Sequence, residues 1–232
     1  MNYFYQEFQE NDQVVELSEE ESKHIHKVLR KKEGDVIGML NGKGLQAEGK
    51  IIGFTGKKIS VQLQNLCFEE NDPSGNLTIA IAPTKNMDRF EFFLEKATEI
   101  GLGKVVPILS SNSERKVVKE ERLEKILVSA MKQSKRLYLP ELKELTKFET
   151  FLDQDNSECK FIAHCEEEEK RNFVKELDPS KKTTILIGPE GDFSINEIKL
   201  ALQKGYIPVS LGESRLRTET AGIYASAAFN MK

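Results

Sequence analysis

Beyond residue 76 the chain alternates short apolar segments with longer amphipathic ones, and this alternation constrains the fold more than any other feature of the sequence. The predicted strands are residues 77–82, 105–109, 161–164, 184–187 and 207–211. The predicted helices are residues 86–100, residues 120–137, a segment that opens at Ser194, and residues 219–230. Strands that alternate with helices of about ten to fifteen residues are typical of a mostly parallel sheet covered on both faces.

The first seventy residues begin with a different pattern. Ser18 followed by Glu21 has the spacing of a capping box and predicts the start of a short helix. Its apolar side would carry Ile25, Val28 and Leu29. We expect this helix to end at the Glu-Gly-Asp sequence of residues 33–35.

Short strands and tight glycine turns follow this helix. Residues 36–40, 45–54 and 59–66 predict strands, separated by hairpin-type turns at 41–44 and 55–58. Several short strands joined by such turns predict a small β-barrel. The polar, aperiodic segment 69–76 contains both Pro and Gly and predicts a linker. We therefore expect a barrel at residues 1–70, a linker at 71–76 and an α/β domain at 77–232.

The composition is that of an ordinary soluble globular protein, with 38% hydrophobic and 31% charged residues in 232. No apolar run approaches the roughly 18 residues of a membrane span, and the N-terminus lacks the pattern of a signal peptide. The three cysteines, Cys67, Cys159 and Cys165, are odd in number and lack metal-ligand spacing. These features predict a cytoplasmic protein.

The net charge of −4 argues mildly against binding to nucleic acid through bulk charge alone. Basic residues nevertheless cluster at 24–32 and at 131–136, where no acidic residue occurs. Solvated helix faces of mixed charge are the ordinary explanation for such clusters. Charge therefore does not decide the function.

Two motifs follow predicted strands, at the edge of a parallel sheet where ligands bind. The first is Gly-Pro-Glu-Gly-Asp-Phe at 188–193, in which the glycines allow close approach of a ligand to the backbone. The helix start at Ser194 offers free N–H groups to an anion. A structural turn without a ligand is the alternative. The motif lacks the Lys-Ser/Thr ending of a Walker loop and the Gly-x-Gly-x-x-Gly pattern, which argues against ATP and NAD.

The second motif covers residues 210–221 and places Arg215 and Arg217 between a predicted strand and the last predicted helix. Both arginines would lie where ligands bind. The alternative is that they pair with acidic residues such as Glu213 and Glu219.

These two motifs, in this order, resemble the SPOUT class of S-adenosylmethionine-dependent RNA methyltransferases, and more narrowly the ribosomal RNA small-subunit methyltransferase E family. Further matches cover nearly the whole chain: His-x-x-x-Val-Leu-Arg at 24–30, Lys85 with Arg89, residues 95–101, and Gln133 to Arg136 with Pro140. Asp192 and Lys135 depart from the pattern, because glycine is expected at both positions.

The resemblance implies a PUA-like RNA-binding β-barrel followed by a mostly parallel α/β domain with a C-terminal trefoil knot, in a homodimer. It implies methylation of N3 of a uridine in 16S rRNA (family site 1498) of the small ribosomal subunit. The cofactor would be S-adenosyl-L-methionine, held by Ile187, Gly188, Pro189, Glu190, Gly191, Leu211, Gly212 and Leu216. A SPOUT enzyme acting on another RNA, or a non-catalytic RNA-binding dimer, is the alternative.

The resemblance also suggests roles for charged residues. The catalytic candidates are Arg217, for stabilising the uracil anion, and Arg215 and Glu219, for orientation or proton handling. The candidates for RNA contact are His24, Arg30, Lys85, Arg89, Arg115 and Arg136. We expect no metal site and no membrane partner, because no zinc motif occurs and His24 and His26 point to different faces of a helix.

Overall fold

The computed structural model describes residues 1–167 and 169–232. The chain forms two compact units, each with its own sheet. The first unit comprises Met1–Asp72 and Val128–Leu139, and the second comprises Pro73–Leu127 and Pro140–Lys232.

The first unit contains a five-stranded sheet with the order β1-β3-β4-β5-β2. Its strands are β1 (Tyr3–Tyr5), β2 (Val14–Glu16), β3 (Val36–Leu40), β4 (Leu45–Thr55) and β5 (Lys58–Phe68). All pairings are antiparallel except that of β1 with β3. Buried Phe4, Ile37 and Ile51 belong to the apolar core on one face of this sheet. The three strands predicted from the sequence are confirmed, with bounds shifted by at most two residues.

The first helix begins where it is predicted to begin, but its capping box is incomplete and it ends earlier than predicted. Helix α1 (Glu19–Lys23) begins after Ser18, whose hydroxyl accepts the Glu21 N–H at 3.2 Å. The capping box is not completed, because the Glu21 carboxylate accepts from the Lys132 ammonium at 2.5 Å instead. A π-helical turn (His24–Val28) continues α1. Arg30 then adopts a φ of 53°, so the helical path ends before residues 33–35.

The π-helical turn explains why one side chain points the wrong way. Ile25 is buried and Leu29 half-buried, as the periodicity predicts, but Val28 is 67% exposed. A π turn contains more residues than an α turn, which rotates the following side chains away from their expected face. The prediction that Val28 faces inward is therefore wrong.

The second unit contains an eight-stranded sheet in which every pairing is parallel. Its strands are β6 (Leu77–Ile81), β7 (Lys104–Leu109), β8 (Glu141–Leu142), β9 (Thr146–Lys147), β10 (Cys159–Ala163), β11 (Arg171–Asn172), β12 (Thr183–Ile187) and β13 (Ile207–Ser210). The order is β11-β13-β10-β12-β6-β7-β8, with β9 also paired to β7. The central strand β12 is buried along its whole length, as expected for a strand covered on both faces.

In the described part of the chain, six α-helices follow α1. They are α2 (Met87–Ile100), α3 (Glu120–Ser134), α4 (Phe148–Gln154), α5 (Phe173–Glu176), α6 (Ile195–Gln203) and α7 (Thr218–Asn230). The predicted capping box of Ser194 and Glu197 is confirmed at the start of α6. Helix α3 ends at Ser134, earlier than predicted, where Lys135 adopts a φ of 59°. None of the described helices is both long and apolar enough to cross a membrane.

The last helix returns across the sheet. After β13, at the far side of β10, helix α7 packs against α2, β6 and β12. A Cβ added to Gly222 would lie 2.5 Å from the Phe93 ring, so glycine is required for this close approach. The Ser226 hydroxyl donates to the Gly101 carbonyl at 2.5 Å and holds the helix in register. This return is the path expected of a knotted C-terminus, and the predicted fold class is confirmed.

Candidate functional site

A cavity of about 660 Å³ lies at the carboxyl ends of β10, β12 and β13. These three strands are parallel neighbours in the sheet, so their following loops meet at one edge. The volume is within the range of pockets that hold small molecules and cofactors. The apolar side chains of its wall are Ala163, Ile187, Val209, Leu211, Leu216 and Ala221.

Charged residues of both signs share the wall. The basic ones are Arg89, Lys170, Arg215 and Arg217, and the acidic ones are Glu190, Asp192 and Glu213. Such a cavity can hold a ligand that has apolar surface together with positive and negative groups.

Seven of the eight residues predicted to hold a cofactor lie on this wall: Ile187, Gly188, Pro189, Glu190, Leu211, Gly212 and Leu216. Gly191 does not line the cavity and instead approaches the loop after β7, where an added Cβ would lie 3.3 Å from the Asn112 Cβ. Leu211 and Leu216 are half-buried, so they are not simply core residues.

We call residues 188–193, after β12, the first loop. Within it, Asp192 adopts a φ of 62°, a conformation that Asp tolerates better than most residues. Its carboxylate accepts the Cys165 N–H at 2.6 Å and its own neighbour Phe193 N–H at 2.8 Å. The side chain thus joins the first loop to the loop after β10.

The Asp192 carboxylate also affects the thiol beside it. Burial raises the pKa of the Cys165 thiol, and the negative charge of Asp192 raises that pKa further, while Arg215 acts in the opposite direction. At neutral pH, Cys165 is therefore a protonated thiol rather than a nucleophilic thiolate.

Other hydrogen bonds hold the first loop from its opposite side. The Asn112 side-chain amide donates to the carbonyls of Gly191 and Asp192, both at 3.1 Å. The Glu190 carboxylate accepts the Lys85 N–H at 3.0 Å. Each of these bonds crosses to a loop that follows another strand of the sheet.

The buried Glu197 carboxylate fixes the helix that follows the first loop. It accepts the N–H and hydroxyl of Ser194, both at 2.8 Å, and the Ser111 N–H at 2.7 Å. The capping box of α6 is therefore shared with the loop after β7. Buried carboxylates with several such partners stabilise the backbone they hold.

We call residues 211–217, after β13, the second loop. It is mostly exposed, and Gly212 adopts a φ of 138°, which favours glycine. The Ser210 hydroxyl donates to the Gly212 carbonyl at 2.8 Å. At the end of the loop, the Thr218 hydroxyl donates to the Gly188 carbonyl at 3.0 Å and joins the second loop to the first.

The three predicted catalytic residues lie around this second loop. Arg215 and Arg217 line the cavity and form no ion pair within the described part of the chain, so the alternative of pairing with Glu213 and Glu219 is not observed. Glu219 is only 8% exposed, and its Oε1 lies 4.0 Å from the Nε of Arg89. Glu219 lies in the first turn of α7, where the helix dipole favours a carboxylate.

The six residues predicted to contact RNA are divided equally between the two units. In the second unit, Arg89 lines the cavity, Lys85 pairs with Glu114 at 2.8 Å, and Arg115 donates to the Lys85 carbonyl at 2.7 Å. The hydrogen bond that the Lys85 ammonium donates to the Glu114 carboxylate raises the pKa of Lys85.

The remaining three belong to the first unit. His24 and Arg30 are exposed at the π-helical turn, and the His24 ring packs edge-on against Phe4 at 5.9 Å. Arg136 is partly buried, with its guanidinium 4.0 Å from Asp72. Burial lowers the pKa of Arg136, and Asp72 opposes this effect.

Sequence reasoning missed the residues from the loops after β7 and β10: Ser111, Asn112, Cys165 and Lys170. These loops follow strands at the same edge of the sheet, so the strand-end rule that identified the two motifs applies to them as well. Among residues 1–167 and 169–232, no group of three or more His, Cys, Asp or Glu could hold a metal ion.

Comparison with known families assigns both parts of the chain. Residues 70–230 match the family described as RNA methyltransferase domain, and residues 17–64 match the family described as RNA methyltransferase PUA domain. The chain is 29% identical over 229 residues to the ribosomal RNA small subunit methyltransferase E of Rickettsia conorii, covering 97% of this chain and 92% of the relative.

Solved structures are similar over nearly the whole chain. A probable rRNA-methyltransferase from Porphyromonas gingivalis is 38% identical, with a TM-score of 0.88 and coverage of 97% of this chain and 95% of that one. A ribosomal RNA small subunit methyltransferase E from Neisseria gonorrhoeae, bound to S-adenosyl methionine, is 28% identical, with a TM-score of 0.88 and coverage of 100% and 97%.

Proposed function

The chain belongs to the RNA methyltransferase domain family, and on that premise we propose that it uses S-adenosyl-L-methionine to methylate N3 of a uridine in 16S rRNA. The observation that carries this proposal is the cavity at the ends of β10, β12 and β13, which Arg215 and Arg217 line together with the first loop. Relatives named as small-subunit rRNA methyltransferases support the RNA class.

The wall of the cavity fits S-adenosylmethionine. The cofactor has an apolar ring system, a cationic sulfonium, and a charged amine and carboxylate. Leu211 and Leu216 offer apolar contact, and Glu190 and Asp192 offer negative charge. Arg89 and Lys170 offer partners for a carboxylate. When bound, the cofactor supplies a methyl group that is already activated by its sulfonium.

The protein's own task is to hold and stabilise the uracil. Loss of the N3 proton spreads negative charge over O2 and O4 of the base, and a guanidinium can donate two hydrogen bonds to such an anion. Arg217 lines the cavity and has no acidic partner in the described part of the chain, so it is free to do this. We assign it the stabilising role.

Arg215 and Glu219 have supporting roles. Arg215 also lines the cavity and contributes positive charge toward the anionic base. Glu219 lies near the Arg89 guanidinium and positions it at the wall. Lys85, Arg89, Arg115, Arg136, His24 and Arg30 are proposed contacts to RNA, which position the substrate without reading its sequence.

Three further features belong to the proposal. The domains are residues 1–70 as a PUA-like RNA-binding barrel, 71–76 as a linker and 77–232 as the methyltransferase domain. The protein acts as a homodimer, which light scattering tests directly. A ribosomal substrate places it in the cytoplasm, as the sequence predicts.

One experiment tests the function. The purified protein is incubated with radiolabelled S-adenosylmethionine and small ribosomal subunits from a strain that lacks it, and the labelled nucleoside is identified by mass spectrometry. We expect 3-methyluridine at one site. Label on another nucleoside, or on another RNA only, would replace the substrate with that of a different SPOUT enzyme. Cofactor binding without any transfer would favour the non-catalytic RNA-binding dimer.

A further inference from the structure

Two rings form an exposed pair on the first unit, and one of them lies in the π-helical turn that also carries His24. The His26 ring lies 5.4 Å from the Phe54 ring, measured between centroids, at an interplanar angle of 59°. Phe54 is 42% exposed and His26 is exposed as well. Ile52, on the same strand, is 39% exposed. A buried aromatic pair would be core, whereas this pair presents ring surface to solvent.

The backbone that carries His26 is irregular. His26 lies in the π-helical turn, where the Leu29 N–H donates to the His24 carbonyl at 3.1 Å, five residues back. Arg30, directly beyond, has a φ of 53°, which is costly for a residue with a side chain. Turns of the π type occur often at functional sites, and backbone strain is retained where the surroundings require it.

Basic residues flank His26 along the chain. Lys23, Lys27 and Arg30 are exposed, and within the described part of the chain none of them forms an ion pair. The nearby hairpin adds Lys57 and Lys58, which are paired with Glu19 and Glu16. Unpaired cations beside an exposed ring surface match a ligand with flat aromatic groups on an anionic backbone.

We propose that the His26–Phe54 surface, which is defined by these two rings and flanked in sequence by Lys23, Lys27 and Arg30, stacks an unpaired base of the RNA substrate. The proposal rests on the proposed function in that the substrate is RNA. Base–aromatic stacking requires an unpaired base, and methylation at N3 requires a uridine whose Watson–Crick edge is open. Unpaired nucleotides are therefore required both for stacking on the His26–Phe54 surface and for the proposed reaction.

The test measures binding of the full chain to a fluorescein-labelled oligouridine of about ten nucleotides by anisotropy, over a series of salt concentrations. We expect Phe54→Ala to weaken binding by about 10-fold, while the slope of log K against log salt stays unchanged. Phe54→Tyr keeps the ring and should bind within about 2-fold of the wild type. Lys27→Ala should reduce the slope by about 0.7.

A matched control exists on the same hairpin. Phe68 is 52% exposed and pairs with Leu45, at the opposite end of the β4–β5 ladder from the turn next to Phe54. Phe68→Ala removes a comparable exposed ring and should leave binding unchanged. Equal losses in Phe54→Ala and Phe68→Ala, or no loss in either, would overturn the proposal. A change of mass in light scattering for Phe54→Ala alone would assign this surface to a protein contact instead.

Failure of this proposal can be told apart from failure of the function. In the subunit assay, Phe54→Ala should raise KM for the RNA and leave kcat and cofactor affinity unchanged. A wild-type KM in this variant overturns the stacking surface and leaves the methyltransferase in place. If no methyl is transferred by the wild type, but Phe54→Ala still loses oligouridine binding, the stacking surface stands and the proposed function falls.

Discussion

The two loops that line the cavity are built in opposite ways. The first loop is held by hydrogen bonds from three other loops, through Asn112, Cys165 and Lys85. The second loop is exposed, and Ser210 holds only its beginning, while Thr218 holds its end. We infer a difference in rigidity. The first loop is formed before a ligand binds, whereas the second loop changes conformation when it binds one.

Such a difference fits the chemistry required of each loop. A cofactor site gains affinity from a wall that is rigid before binding, because little ordering is then lost. A large RNA substrate must enter and leave past a part of the site that can move. Arg215 and Arg217 lie on the exposed second loop, whereas Glu190 lies on the fixed first loop.

The largest effect is expected when the guanidinium of Arg217 is removed from the exposed second loop. Arg217→Ala should reduce turnover by about 100- to 1,000-fold, because the anionic uracil loses its hydrogen-bond donors. Cofactor affinity, measured by calorimetry, should change by less than about 3-fold. Arg217→Lys keeps the positive charge and should recover part of the activity. Recovery should be incomplete, because an ammonium cannot donate the same pair of hydrogen bonds. Arg122→Ala, which removes a surface pair with Glu91, is the control. Wild-type turnover in Arg217→Ala would contradict the assignment.

A second test compares the loss of stability when Glu197, which follows the first loop, or Glu213, in the second loop, is replaced. Glu197→Ala leaves the N–H groups of Ser194 and Ser111 without their acceptor and should cost about 2 kcal/mol, a fall in Tm of about 4–8 °C. Glu213→Ala, in the exposed second loop, should change Tm by less than about 1 °C. Thermal unfolding by circular dichroism measures both. Equal effects would remove the distinction between a fixed and an adaptable loop.

The smallest expected effect concerns the thiol beside the first loop. Asp192 raises the pKa of Cys165, so Asp192→Asn should lower that pKa and increase the thiolate fraction at a given pH. Alkylation of Cys165 by iodoacetamide at pH 8 should become about 2- to 5-fold faster. Burial, the larger cause of the raised pKa, remains in the variant. Asn is chosen because it also tolerates positive φ.

The controls for this measurement are internal. Exposed Cys67 belongs to the first unit and should react at the same rate in both proteins. Added S-adenosylmethionine should protect Cys165, which lines the cavity, and leave Cys67 unaffected. An unchanged Cys165 rate in Asp192→Asn would show that the carboxylate does not control the thiol.

Much of the fold followed from periodicity. The long strands β4 and β5 and the helix α2 were predicted within two residues, because their apolar patterns extend over several turns or pleats. The two-residue strands β8, β9 and β11 were missed, since such short pairings depend on neighbouring strands rather than on their own residues. The complete capping box at Ser194 was predicted correctly. At Ser18 only one of the two capping bonds forms, because the Glu21 carboxylate accepts a hydrogen bond from Lys132 instead.

The site followed from the rule for strand ends rather than from individual residues. The two departures from the expected glycine pattern, Asp192 and Lys135, both adopt positive φ, near 60°. The glycines of the family pattern thus indicate a positive φ at two positions where this chain has Asp and Lys. Sequence spacing could not reveal that Asn112 and Cys165 contact the first loop, because these contacts join segments about 80 and 27 positions apart.

The return of α7 over the sheet has a consequence for the order of events during synthesis. Thr218, which joins the second loop to Gly188, and Ser226, which fixes α7 to Gly101, follow every strand of the sheet along the chain and are synthesised after them. The strands β6 to β13 can pair before then, but the cavity cannot close. A nascent chain is therefore without a complete cavity until α7 has been synthesised and has docked against the sheet.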